Sequence, residues 1–199
     1  SHLPMQCARA LASRRLTTAH PPRVAVFMAG LPGSGKTRVI REQFGVMSDS
    51  SSSTVVLDLD VEMKAHPDFD SDMPHLVYAR PDAYAWADAR VQQRFNESLQ
   101  NPSLRTIILD GTGTKVERTL RRAAQAKHAG WTTKLLHVHV TLATALRRNA
   151  RRSRQVPKGV LEGYQTELSA AVAAVSKDID KVLVIDNNAE DGLTGRERW

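Results

Sequence analysis

The sequence predicts an α/β protein: a three-layer sandwich with helices on both faces of a five-stranded parallel sheet. Three observations carry that prediction. Short apolar runs alternate with longer segments of helical spacing along most of the chain, the pattern of parallel strands joined by crossover helices. The run Gly30-Leu31-Pro32-Gly33-Ser34-Gly35-Lys36-Thr37 satisfies the P-loop pattern G-x-x-x-x-G-K-[ST] in full. Acids close two of the apolar runs, at Asp60 and Asp110. In an open parallel sheet those carboxyl ends are where ligands bind.

Each element has its own local reason. Residues 24–29 are apolar without alternation, as a strand buried on both faces is. The glycine loop follows, and residues 38–44 then take helical spacing up to Gly45, a C-cap. Residues 48–53 are a polar serine loop, and 54–60 a second strand with acids at its tip. The passage 67–81, rich in Pro and Asp, shows no clear period. Residues 83–99 read as a long helix, 105–109 as a third strand, and 117–129 as a helix stopped by Gly130. A fourth strand at 134–140, helices at 143–152 and 160–175, and a fifth strand at 181–185 complete the domain, which spans 23–187. A polar tail covers 188–199.

Residues 1–22 form a separate extension. Residues 1–4 read as a remnant ahead of an initiator, Met5. The stretch from Met5 to Arg23 carries Arg9, Arg14 and Arg15 and no acid. A helix over 6–16 packing on the domain is the preferred reading; a mitochondrial presequence is the alternative. The single cysteine, Cys7, excludes a disulfide framework and a cysteine-based zinc site. No apolar run is long enough to cross a bilayer, so no membrane role is expected and a cytoplasmic location is.

The net charge of +7 invites a nucleic-acid reading. Much of that charge sits in Arg147, Arg148, Arg151, Arg152 and Arg154, with more in Arg118, Arg121 and Arg122. Such a cluster serves a polyanion, or else a triphosphate and a phosphorylated small substrate; the second use is preferred.

The glycine loop predicts the chemistry. Its backbone N–H groups and the helix N-terminus after it form an anion cradle for a nucleoside triphosphate. Lys36 is placed to reach the β- and γ-phosphates, and the Thr37 hydroxyl to hold Mg²⁺. Asp60 is the candidate base for a substrate hydroxyl proton, or else a cap for the turn that follows it. Asp110 ends its strand as a Walker-B-type acid does, acting on Mg²⁺ directly or through water. The arginine run is either a solvated basic face or a lid whose guanidiniums close over phosphates. Arg152 and Arg154 are the first choices for that contact, with Arg151 beside them. His137 and His139 share a strand face and read as packing residues. His66 lies just beyond Asp60, where an acceptor is expected.

Four stretches together resemble the zeta toxin family of P-loop kinases. They are the P-loop, Leu57-Asp58-Leu59-Asp60, His66-Pro67-Asp68-Phe69-Asp70 and Ile108-Leu109-Asp110-Gly111-Thr112-Gly113. The resemblance implies a kinase that uses ATP and Mg²⁺ and phosphorylates a hydroxyl of a small molecule, UDP-N-acetylglucosamine in zeta toxins themselves. It implies Asp60 as general base, Thr112 as an acceptor-positioning residue, and Arg152 and Arg154 as phosphate ligands. It also implies an antitoxin partner that blocks the nucleotide site. The chain departs from the family in its shorter lid. It also has Gln92, Gln93 and Arg94, with Glu97 a turn later, where the family places a substrate-binding glutamate. The short lid is similar to that of polynucleotide-kinase-type enzymes, so a nucleic-acid 5′-hydroxyl is a second acceptor class. A nucleotide-switched binding module without catalysis is the third reading.

Overall fold

β1 (Val24–Ala29) lies at the centre of the sheet and is buried over its last five residues. Its side chains alternate between two cores, as strand geometry requires. Ala25, Phe27 and Ala29 enter a cluster with Val91, Phe95, Leu168 and Val175. Val26 and Met28 enter the opposite one, with Val39 and Ile40. The computed structural model describes residues 22–46, 50–51, 53–152 and 155–189. The expected helix over 6–16, its presequence alternative, Cys7, Arg154 and the tail from 190 lie outside the described residues.

The chain runs β1, α1 (Lys36–Phe44), β2 (Ser50–Ser51), β3 (Thr54–Asp58), α2 (Leu59–Lys64), α3 (Pro74–Tyr78) and α4 (Pro81–Gln100). It continues through β4 (Thr106–Asp110), α5 (Val116–His128), β5 (Thr132–His139), α6 (Leu142–Asn149), α7 (Lys158–Val175) and β6 (Lys181–Asp186). The sheet order is β2-β3-β4-β1-β5-β6. Five strands are parallel, as expected. β2, drawn from the serine loop, adds a two-residue antiparallel edge to β3.

The chain crosses from β1 to β3, fills β4 between them, then moves to β5 on the other side of β1. The carboxyl end of β1 is therefore the topological switch point, where a crevice opens between diverging connections. The P-loop leaves the sheet at that point.

Several boundaries differ from the sequence expectation, each for a local reason. The second predicted strand, 54–60, ends at Asp58. Its side chain accepts the Asp60 N–H at 2.8 Å and caps α2, satisfying a donor that a helix start leaves unpaired. The passage 67–81 contains α3, which opens on Pro74 and buries Val77 in a satellite core with Met63, Ala83 and Ala87. The helix expected over 143–152 stops at Asn149, whose side chain takes over backbone pairing. Its Oδ1 accepts the Val156 N–H at 3.0 Å, and its Nδ2 donates to the Val156 carbonyl at 2.8 Å. Arg147 and Arg148 therefore sit on the helix, and Arg151 and Arg152 on the loop after it. β5 begins two residues early because Asp180 accepts both the N–H and the hydroxyl of Thr133, each at 2.8 Å.

Candidate active site

The P-loop is a backbone structure first. Gly33 and Gly35 take left-handed φ values of 85° and 90°, where a side chain is strained. A Cβ at Gly33 would lie 2.9 Å from the Ala145 carbonyl oxygen, and one at Gly35 would collide with Asn187 Nδ2. That amide, from the segment after β6, donates to the Ser34 carbonyl at 2.7 Å. The loop is thus gripped from α6 on one side and from beyond β6 on the other. The Gly30 N–H donates to the Thr112 carbonyl at 3.0 Å, tying the loop to the end of β4.

α1 starts at Lys36 with no side-chain cap and no acid in its first turn. Its free N–H groups and dipole therefore face the loop unopposed, the arrangement that receives phosphate. Lys36 Nζ bends back over the loop, donating to the carbonyls of Gly30 at 2.9 Å and Leu31 at 3.2 Å. Burial pushes its pKa down, and the nearby Asp110 carboxylate opposes that shift.

A cleft of about 750 Å³ opens beside this loop. Lys36, Thr37, Asp58, Asp60, Asp110, Thr112 and Arg152 all line it, so residues far apart in sequence converge there. Asp58 and Asp110 are register partners at the ends of β3 and β4. Burial, and then the neighbouring Asp110 charge, raise Asp58 to about 6. Burial likewise raises Asp110, and Lys36 offsets part of it. Asp110 Oδ1 is buried without a hydrogen-bond partner. An orphaned carboxylate oxygen beside a second acid fits a bound cation. Among the described residues no three His, Cys, Asp or Glu side chains form a closed metal cage.

The remaining predicted residues divide. Leu31 and Ser34 are buried supports of the loop, exposed 2% and 0%. Thr112 lines the cleft, its hydroxyl 3.0 Å from that of Thr114. His66 is not among the lining residues: its Nδ1 accepts the Asp68 N–H at 3.1 Å, and its ring meets Trp86 edge-on at 4.9 Å. Arg151 is exposed and does not line the cleft, whereas Arg148, which was given no individual role, does. Arg148 also donates to the Ala189 carbonyl at 3.2 Å. His137 and His139 pack edge to face on β5, 5.8 Å apart, and burial lowers His137 further from protonation.

Sequence reasoning missed the far wall. There Asp88 of α4 accepts from Arg118 at 2.7 Å and Arg122 at 3.0 Å, both on α5. The only sequence signal is that Arg118 and Arg122, like Asp88 and Gln92, stand four apart and so share helix faces. It also missed Glu62, buried on α2 and held by Arg90 at 2.9 Å and by Arg94. Arg94, close to where the resemblance places a substrate glutamate, is thereby committed to an internal ion pair.

The family model described as zeta toxin matches residues 8–196. Among solved structures, one from the PezAT chromosomal toxin–antitoxin system of Streptococcus pneumoniae superposes with a TM-score of 0.63 at 14% identity. It covers 87% of this chain and 71% of its own. The AvrRxo1-ORF1:AvrRxo1-ORF2 complex with sulphate ions superposes with a TM-score of 0.62 at 16% identity, covering 86% of this chain and 56% of its own. At these identities the likeness is one of fold. No curated relative matches the chain in sequence.

Proposed function

Because the chain belongs to the zeta toxin family, we propose that it is an ATP-dependent kinase that phosphorylates a hydroxyl of a small nucleotide-like or sugar-nucleotide acceptor. Family and fold support a P-loop kinase-like activity. The observation that carries the finer reading is the convergence in one cleft of a phosphate cradle, a row of acids and an arginine-bearing loop.

The P-loop N–H groups and Lys36 bind the β- and γ-phosphates of ATP, and Thr37 and Asp110 hold Mg²⁺ directly or through water. Mg²⁺ there supplies charge neutralisation on the phosphates. Asp60, fixed in the first turn of α2 by the Asp58 cap, accepts the proton of the attacking hydroxyl. Arg152 stabilises charge on the transferring group from the loop side. Arg151 and Arg154 belong to the same basic run of the sequence. A protein partner that covers the nucleotide cleft is part of this reading, by analogy with the neighbour from a toxin–antitoxin system.

The test is Mg-ATP-dependent ADP release across UDP-N-acetylglucosamine, NAD, nucleosides and an oligonucleotide with a free 5′-hydroxyl. The expected result is release that requires one acceptor and falls by about 10²–10⁴ in Asp60→Asn, the usual range for a lost general base. ATP binding stays intact in that variant. Acceptor-independent hydrolysis, equal in both proteins, would sink the kinase reading and favour a switch module.

A further inference from the structure

We propose that the outer edge of β6 is an interface between two copies of this chain, whose β6 strands pair antiparallel and join two sheets into one. The inference stands apart from the kinase reading, since no residue lining the cleft comes from β6.

The sheet has two edges of unequal make. At one, β2 is a two-residue strand, too short to template another chain. At the other, β6 keeps register with β5 over six consecutive residues, and among the described residues it has no other strand neighbour. The Asn187 N–H donates to the His139 carbonyl at 2.9 Å, so the odd-numbered residues here turn their backbone groups towards β5. Alternation along the strand then directs the N–H and C=O groups of Val182 and Val184 outward. Their side chains are exposed too, Val182 by 43% and Val184 by 55%. Folded proteins guard such edges with proline, bulges or charges. Between Lys181 and Asp186 this strand has none of them.

The strand's own sequence names the occupant. Val182-Leu183-Val184 reads the same in both directions. A two-fold axis through Leu183, normal to the sheet, sets Val182 opposite the partner's Val184 and Val184 opposite the partner's Val182. These are the residues whose backbone groups point outward. Each facing pair therefore exchanges two hydrogen bonds, and the four valines bury one another on one face. The strand ends also differ in charge. Lys181 lies beside Lys134, its register partner. Asp186 closes the strand, its carboxyl held below the usual carboxylate range by the Asn188 N–H and side-chain amide. An antiparallel partner brings each acid to the other copy's lysine end, whereas a parallel one sets lysines beside lysines.

The test is sedimentation equilibrium of the whole chain from about 1 to about 300 μM, with amide hydrogen exchange read at Val182 and Val184. A single short strand makes a small interface, so a dimer with Kd on the order of 10 μM is expected. Exchange at both amides should slow as the dimer forms. Val184→Lys places a charge at the joint and keeps the outward N–H; it should weaken the dimer at least tenfold, as edge lysines do. Val182→Lys should act the same way and carries the test if the first variant does not fold. Melting of the dilute variants should match that of wild type, which shows that they fold. A chain that stays monomeric throughout overturns the inference. Protected amides in that monomer would mean that the chain's own residues cover the edge; fast-exchanging ones would leave it to a different protein. A dimer indifferent to both substitutions uses another face and overturns the inference equally. None of these readouts involves nucleotide, so failure here leaves the kinase reading intact.

Discussion

The two ends of the cleft are built by different means. The P-loop end is a backbone structure: eight consecutive residues whose glycines take conformations and approaches that side chains forbid. The α4–α5 end is a side-chain structure, in which ordinary helices present Asp88, Arg118 and Arg122 and no backbone group is unusual. The difference teaches where each end is vulnerable. On the kinase reading proposed above, nucleotide binding should fail when the geometry of the loop is disturbed, whereas the α4–α5 wall should fail when its charges are.

The largest expected effect is at the donor end. Lys36→Ala removes the cation whose amine folds back over the loop. A fall of about 10³ in ADP release, with weakened nucleotide binding, matches the loss of a preorganised charge at the transferring group. Retained turnover would break the assignment of this cleft as the donor site.

Gly35→Ala sharpens the contrast, because it changes no charge. The φ of 90° and the collision with Asn187 together cost about 2–3 kcal/mol. A drop of several degrees in melting temperature and markedly weaker nucleotide binding should follow, with KM for the acceptor unaffected. Equal loss for both substrates would mean the two ends are one mechanical unit.

Asn149→Ala should act more mildly. It deletes both bonds to Val156 at the base of the arginine loop, worth about 1–2 kcal/mol together. The rise should appear in KM for ATP rather than in acceptor binding. A change confined to the acceptor would place the loop at the wrong end.

A further effect is in pH. In the metal-free protein Asp58 titrates near 6, against an ordinary value of 3.8, because burial and Asp110 penalise its charge. The folded state then binds more protons than the unfolded state between those values, so stability declines as pH rises through that window. Asp58→Asn keeps a competent cap. It should melt a few degrees above wild type at pH 8, measured in chelator, and converge with it near pH 4. A gap of the same size at both pH values would remove the ionised carboxylate as its cause.

How much could be read in advance follows the same division. The P-loop, the strands around it and the acid that closes β4 were legible because each depends on neighbours in the chain: apolar runs, glycine spacing, a helix start. Asp60 was placed at the cleft correctly but on the wrong element, since a strand tip and a capped first turn differ only in whether Asp58 turns back to accept the Asp60 N–H. His66 was expected beside an acceptor from its distance along the chain, and its turn bond to the Asp68 N–H and its contact with Trp86 of α4 place it away from the cleft lining. The arginine run was visible as charge. Which arginines enter the cleft was not, because Asn149 ends the helix by pairing with Val156, seven residues on.

By itself, then, the sequence determined an alternating α/β chain with a glycine loop of P-loop pattern at the end of its first strand. Those features need only short-range sterics and hydrogen bonds. Tertiary structure alone decided the strand order that makes β1 the switch point, and the register that sets Asp58 beside Asp110. It alone brought Asn187 to Ser34 across 153 residues, and Asp88 to Arg118 across 30. These pairings carry no local signature, because they exist only once the two cores have packed and fixed the distance between elements that the chain leaves free.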